Sequence, residues 1–288
     1  MQTKAVVAIT IMLALIASAR AQTATIDKAP HGNPPADSAP HTLTVSAAIS
    51  LSDAMKRIAA EYERRRPGAK ILLNVGGSGA LLQQIEKGAP VDVFASADEA
   101  TMDRAREKGL IDTESRRNFA RNALVVILAS EAAGKAENDL ATLQHPEIKR
   151  IAIGNPDSVP AGRYARIALQ GAGLWEALQA KLIPAQNVRQ VLEYVARGEV
   201  DAGFVYRSDV ALLGDRGQVA FSIPMDVTYP IAVVRESAEP KHAARFIEWV
   251  LSPTSQQLLA EHGFMKDAGD APTSSPSPPG NTGREDRP

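Results

Sequence analysis

The chain has 288 residues, 44% of them hydrophobic and 23% charged, with a formal net charge of −1. That length allows one or two folded domains, and the near-neutral balance excludes a general attraction to nucleic acid or to an anionic membrane. The absence of cysteine excludes disulfides, thiolate metal sites and a lipid anchor on an N-terminal cysteine.

The first residues read MQTKAVVAITIMLALIASARA. Lys4, an apolar run from Ala5 to Ala17, and small residues at Ala19 and Ala21 follow the charged, apolar, A-x-A order of a secretory signal peptide. The run is shorter than the roughly 20 residues a membrane span needs. Residues 1–21 are therefore expected to direct export to the periplasm. Residues 22–41 are rich in Ala, Pro, Asp, His and Thr without periodicity and read as a disordered linker.

Strands and helices then alternate. LTVSAAI (43–49) reads as a strand. Ser50 stands where an N-cap belongs, with Asp53 as the third residue of an imperfect capping box. The helix LSDAMKRIAAEYERRR (51–66) carries Leu51, Met55, Ile58, Ala59 and Tyr62 on one stripe. Its last arginines suit the negative end of the helix dipole, and Pro67-Gly68 stop it. KILLNV (70–75) is a second strand, and after a glycine turn GALLQQIEKG (79–88) is a helix. VDVFAS (91–96) and DEATMDRAREKG (98–109) repeat the pattern. This rhythm predicts a mainly parallel sheet covered on both faces.

A second α/β unit begins at NALVVIL (122–128). It continues through the strand RIAIG (150–154) and the helices RYARIALQ (163–170), LWEALQAKL (174–182) and VRQVLEYVARG (188–198). The strands AGFVY (202–206) and VAFSI (219–223) follow. YPIAVVR (229–235) reads as a return strand, ahead of two helices, PKHAARFIEWVL (240–251) and PTSQQLLAEHG (253–263). Residues 268–288, rich in Pro, Ser and Gly, read as a disordered tail. The expectation is one lobe of residues 42–122 and 228–267, a second of 123–227, and a ligand cleft between them.

Chemistry concentrates at LNVGGSGALL (73–82). Ser78 opens a helix, where unpaired N–H groups and the dipole favour negative charge, and Gly77 and Gly79 let the backbone approach a ligand closely. Ser50 repeats the strand–serine–helix order. Two such starts at neighbouring strand ends point to one anion site beyond the carboxyl edge of the sheet. The plainer reading is a glycine turn with Ser78 as N-cap. A third takes Ser78 as a nucleophile, since GGSGA comes close to the G-x-S-x-G elbow, with a triad histidine drawn from His145, His242 or His262. No HGGG-type oxyanion motif precedes it. The five histidines lack metal-ligand spacing, and the carboxylates of SADEATMDRAREKG have the spacing of a solvated helix face.

Five segments, TVSAAISLSDAM, GGSGALLQQIEKGAPVDVFASAD, GNPDSVPAGRYA, IPAQNVRQVL and GFVYRSDV, occur in an order that resembles the periplasmic molybdate-binding proteins of ABC importers, from about Leu43 to Lys266. The resemblance implies an α/β, two-lobed periplasmic binding-protein fold of type II, each lobe a mainly parallel sheet flanked by helices and joined by crossing strands. It implies a monomer that is not an enzyme and needs no cofactor. Such a protein binds molybdate, often tungstate too, and hands it to a membrane permease with an ATPase. By the same resemblance the ligand residues are Ser50, Ser78, Ala161, Val188 and Tyr206, with Ala161 and Val188 acting through backbone N–H groups and no protein atom bound to molybdenum itself. Pro160 before Ala161, and Asn187 as a credible N-cap before Val188, agree with helix starts at both places.

Neutral donors and helix dipoles can spread the charge of a tetrahedral dianion. Hydrogen phosphate would leave its proton without an acceptor there, at about 1–3 kcal/mol. Sulfate carries no such proton and is the closest alternative ligand. Three residues depart from the small or uncharged ones expected. Asp53 either caps its helix or competes with the anion. Arg163 and Arg207 are read as steering charges at the cleft mouth, with solvated surface arginines as the other reading.

Overall fold

The computed structural model describes residues 40–130 and 139–266. The expected signal peptide, the linker up to residue 39 and the tail 268–288 lie outside the described residues. Among the described residues, no helix is long and apolar enough to cross a membrane.

Eight strands make one sheet: β1 (His41–Ala48), β2 (Ala69–Gly76), β3 (Val93–Ala95), β4 (Arg117–Ala129), β5 (Ile151–Gly154), β6 (Leu182–Ala185), β7 (Ala202–Tyr206) and β8 (Gly217–Val233). Their spatial order is β2-β1-β3-β8-β4-β7-β5-β6. β2, β1 and β3 run parallel, as do β7, β5 and β6. β4 and β8 are antiparallel to each other and to the strands beside them. Two parallel trios are thus sewn together by two long strands that pass through both halves.

Helices follow the strands, as right-handed crossovers between parallel strands require. In the first half these are α1 (Ser52–Arg65), α2 (Ser78–Glu86) and α3 (Glu99–Glu107). In the second they are α4 (Pro160–Gly171), the short α5 (Trp175–Leu178) and α6 (Val188–Ala196). The chain then returns, and α7 (Pro240–Leu251) and α8 (Pro253–Glu261) pack against α1. The stripe of Leu51, Met55, Ile58 and Tyr62 is buried against strand residues such as Leu43 and Val45. Burying one such side chain stabilises the fold by about 1.5–3 kcal/mol. Tyr62 also meets the edge of Phe246 at 5.2 Å between ring centroids, which fastens α7 over the first half.

Four details differ from the sequence reading. The strands expected at 219–223 and 229–235 are one strand, β8. Pro224 breaks the apolar pattern, but the register moves from Asn122 opposite Val227 to Leu124 opposite Ile223, so the proline falls in a bulge where no ladder N–H is needed. β6 was not expected, because Leu-Ile-Pro-Ala is short, half exposed and proline-bearing, as only an edge strand tolerates. His41 was assigned to the linker, yet it is buried at the start of β1, stacked on His242 with centroids 3.8 Å apart. Finally, a 3-10 turn (Ile49–Leu51) precedes α1, whose N-cap is Leu51 without a side-chain bond. The expected capping box at Ser50 and Asp53 does not form, because both side chains are engaged elsewhere.

Candidate functional site

At the carboxyl ends of the parallel strands, the two halves meet around a small cavity. Ser50, Ser78, Ala161, Val188 and Tyr206 all line it, with Gly77 beside them. The centre of a water-sized sphere can move through about 10 Å³ there, room for one compact ion rather than an organic molecule. None of the lining residues is charged or a histidine.

Each is delivered by a helix start or a strand end. Ser78 is the first residue of α2, with Gly77 as an extended N-cap, which corrects the reading of Ser78 as the cap itself. Pro160 is the first residue of α4 and Ala161 the second, so the missing proline N–H falls where the helix has no use for one. Asn187 caps α6 by accepting from Gln190 N at 2.9 Å, leaving Val188 at the first helical position. The first N–H groups of a helix have no partner within it, and each helix start carries roughly half a positive charge. Three starts thus face one cavity without a formal cation. Tyr206 ends β7 with its ring buried.

The hydroxyl protons have directions. Ser78 Oγ accepts from the backbone N of Ala97 at 3.1 Å, so its own proton is left for the cavity. Ser50 Oγ lies 3.1 Å from the Tyr229 hydroxyl. Tyr206 donates over a long 3.5 Å to the carbonyl of Ala97, a bond it can exchange for a stronger acceptor. Burial pushes the Tyr206 phenol well above its ordinary pKa, so it keeps its proton and remains a donor.

The halves are fastened around the cavity by contacts that sequence patterning did not reveal. Gly79 N, in the first half, donates to Ser158 O of the second at 3.1 Å. A Cβ on Gly79 would stand 2.4 Å from that same carbonyl, and one on Gly77 would stand 3.0 Å from Gln186 O. The glycines therefore admit the opposite half as well as any ligand. Arg163 Nε donates to Asp98 Oδ2 at 2.8 Å and its Nη2 to Thr101 Oγ1 at 2.9 Å, and the pair is largely buried, at 17% and 3% exposure. This corrects the steering role for Arg163: its guanidinium is held by Asp98, which also caps α3, and it ties the halves together. Arg207 is exposed and does not line the cavity.

Arg189, next to Val188, makes a second tether. It reaches Asp53 Oδ2 of the first half at 3.4 Å and the buried Asp209 of its own half at 3.6 Å. Partial burial works against the charge on Asp53, but Arg189 and Lys56 outweigh it and hold the carboxyl below its ordinary pKa. Burial pushes Asp209 up to about 6, against the pull of Arg189. Asp53 thus faces Arg189 and Lys56, not the cavity.

Among the described residues, no general base lines the cavity beside Ser78. His242 is occupied with Glu239 and the ring of His41, His262 contacts Leu258 O, and His145 lies beside Glu147; none lines the cavity. Among the described residues, no cluster of His, Asp or Glu could hold a metal ion.

Residues 43–265 match the family described as bacterial extracellular solute-binding protein. The chain is 36% identical to the molybdate-binding protein ModA of Escherichia coli over 231 residues, which cover 77% of this chain and 88% of that one. Among solved structures, it resembles the substrate-binding domain of a putative molybdenum ABC transporter from Clostridium difficile, with 35% identity and a TM-score of 0.61, covering 78% of this chain and 99% of that one. It also resembles the periplasmic molybdate-binding protein of Azotobacter vinelandii, with 25% identity, a TM-score of 0.70 and the same coverage of each chain.

Proposed function

The chain belongs to the bacterial extracellular solute-binding proteins, and on that premise we propose that it captures molybdate, and tungstate with it, between its two halves. As an exported monomer, without catalysis of its own, it delivers the ion to an ABC permease driven by an ATPase. The observation that carries this reading is the single cavity lined from both halves by Ser50, Ser78, Ala161, Val188 and Tyr206 without one charged side chain. Such a lining offers N–H and O–H donors and three helix starts, matched to an ion with charge on every oxygen and no proton to place. The absence of a base at the cavity weighs against Ser78 as a nucleophile.

The halves, taken as residues 42–122 with 228–267 and residues 123–227, close on the ion, and the closed form is favoured because only it offers donors from both sides. Calorimetry with molybdate, tungstate, sulfate and phosphate tests the assignment. Tight binding of the first two is expected, with phosphate about 5- to 150-fold weaker because its proton finds no ready acceptor. Sulfate, which has no proton to place, is the competing ion that the titration ranks against molybdate. Preference for sulfate would replace molybdate with another oxyanion.

The tether makes a kinetic prediction. Arg163→Gln removes one partner of a buried pair, a change costing about 3–5 kcal/mol where the remaining charge stays buried. Opening the halves lets Asp98 hydrate and relieves that cost. Molybdate dissociation is therefore expected to accelerate about tenfold or more, with association little changed. A fall in association alone, lost at high salt, would restore the steering role. That role remains available to Arg207: Arg207→Gln is expected to slow association and flatten its salt dependence, and stopped-flow rates unchanged across salt would remove it.

A further inference from the structure

We propose that Asn122 and Tyr229 are positioning residues that fix the direction of the Ser50 hydroxyl proton and so sharpen the preference of the cavity for fully deprotonated oxyanions. The inference rests on the reading of the cavity as an oxyanion site. It comes from two polar side chains in the crossing strands that do not line the cavity. Both are buried, Asn122 at 2% and Tyr229 at 0% exposure, where water does not compete for their bonds.

The orientation of the Asn122 amide is set by its surroundings. Its Oδ1 accepts from the backbone N–H of Ala123 at 2.9 Å and of Ser208 at 3.4 Å. Its Nδ2, which can only donate, faces Ser208 Oγ at 2.8 Å and the Tyr229 oxygen at 3.3 Å. The Tyr229 oxygen therefore accepts from Asn122. Its single proton goes to its other partner, Ser50 Oγ, 3.1 Å away. Burial pushes the Tyr229 phenol well above its ordinary pKa, so that proton stays in place. Ser50 Oγ, having accepted, sends its own proton toward the cavity. The two-residue relay does for Ser50 what the Ala97 amide does for Ser78: each serine uses one lone pair inside the protein and turns its proton to the ion. An anion that must place a proton, such as hydrogen phosphate, finds one of the two lone pairs on each serine oxygen already taken.

The experiment is a double-mutant cycle read by calorimetry against molybdate and against inorganic phosphate, using the wild type, Tyr229→Phe, Ser50→Ala and the double variant. Tyr229→Phe frees Ser50 to turn. Molybdate affinity is expected to fall about 5- to 20-fold, and the ratio of molybdate to phosphate affinity to narrow. In the Ser50→Ala background the same change is expected to alter affinity less than about twofold, because the relay acts only through that hydroxyl. An unchanged affinity in Tyr229→Phe, or an equal further loss on top of Ser50→Ala, overturns the relay. Should Tyr229→Phe fail to fold by ligand-free melting, Asn122→Ala, which removes the directing donor, takes its place in the cycle with the same expectations. If the wild type binds another oxyanion but not molybdate, the functional assignment fails, and the cycle run with that ion judges the relay separately. If no oxyanion binds, both fall.

Discussion

Replacing Gly79 with alanine is expected to lower molybdate affinity by about 100-fold or more while leaving the ligand-free protein as stable as before. The new Cβ would sit 2.4 Å from Ser158 O, and that oxygen belongs to the backbone of the opposite half, so no side-chain rotation relieves the clash. The halves must stay apart, which removes the bond from Gly79 N to Ser158 O and withdraws the donors of Ala161, Val188 and Tyr206 from the ion. Losing even two of those three bonds to a charged group, at about 1.5–3 kcal/mol each, accounts for that magnitude. Within α2 itself, alanine is a better helix former than glycine by about 1 kcal/mol, so melting without ligand should not fall. The control is Gly171→Ala in α4, where a Cβ meets nothing within 4 Å and affinity should hold. Full affinity in Gly79→Ala would mean that close contact of the halves is not required for binding.

Ser78→Ala is expected to cost affinity differently. The variant can still close, but it loses one hydroxyl donor to the ion, about 1.5–3 kcal/mol or roughly 10- to 150-fold. It also leaves the buried N–H of Ala97 without the oxygen it bonds at 3.1 Å, so the ligand-free midpoint should fall by a few degrees. Gly79→Ala and Ser78→Ala therefore separate closure from donation: one spares stability, the other lowers it. Molybdate binding at wild-type strength in Ser78→Ala would remove Ser78 from the site. Labelling of the wild type, but not of this variant, by a serine-reactive phosphonate would instead support a nucleophile.

The strand–helix rhythm made much of this architecture readable from the chain. AGFVY and PKHAARFIEWVL coincide with β7 and α7, because both have a clean apolar pattern closed by strong end signals. The helix starts at Ser78, Pro160 and Val188 were readable for the same reason: glycine, proline and asparagine mark them locally. What could not be read depends on distant pairing. Arg163 meets an aspartate 65 positions away, and its sequence neighbourhood differs little from that of a solvated arginine. Asn122 showed only as a polar residue at the head of an apolar strand; its meaning needs Tyr229, 107 positions on. The two segments at 219–223 and 229–235 read as separate strands because Pro224 stands between them, and only the bulge opposite β4 allows one strand to continue through it. Gly79 suggested close approach to a ligand, and no local signal says that the carbonyl of Ser158 comes against it.

The relay's location along the crossing strands has a consequence for how an ion first meets the protein. β3 pairs with β8 at residues 231–233, and β7 pairs with β4 at residues 124–128. Between those points β4 and β8 hold each other, helped by one bridge from Arg121 to Met265. Asn122 and Tyr229 lie within that shared ribbon, where the two halves join. Ser50 is bonded to the ribbon itself and not to the far half, so its hydroxyl is aimed before any ion arrives. On the proposed reading, an arriving anion meets a first half whose hydroxyl rotors are already frozen, so the entropy of ordering them is met during folding instead of at capture.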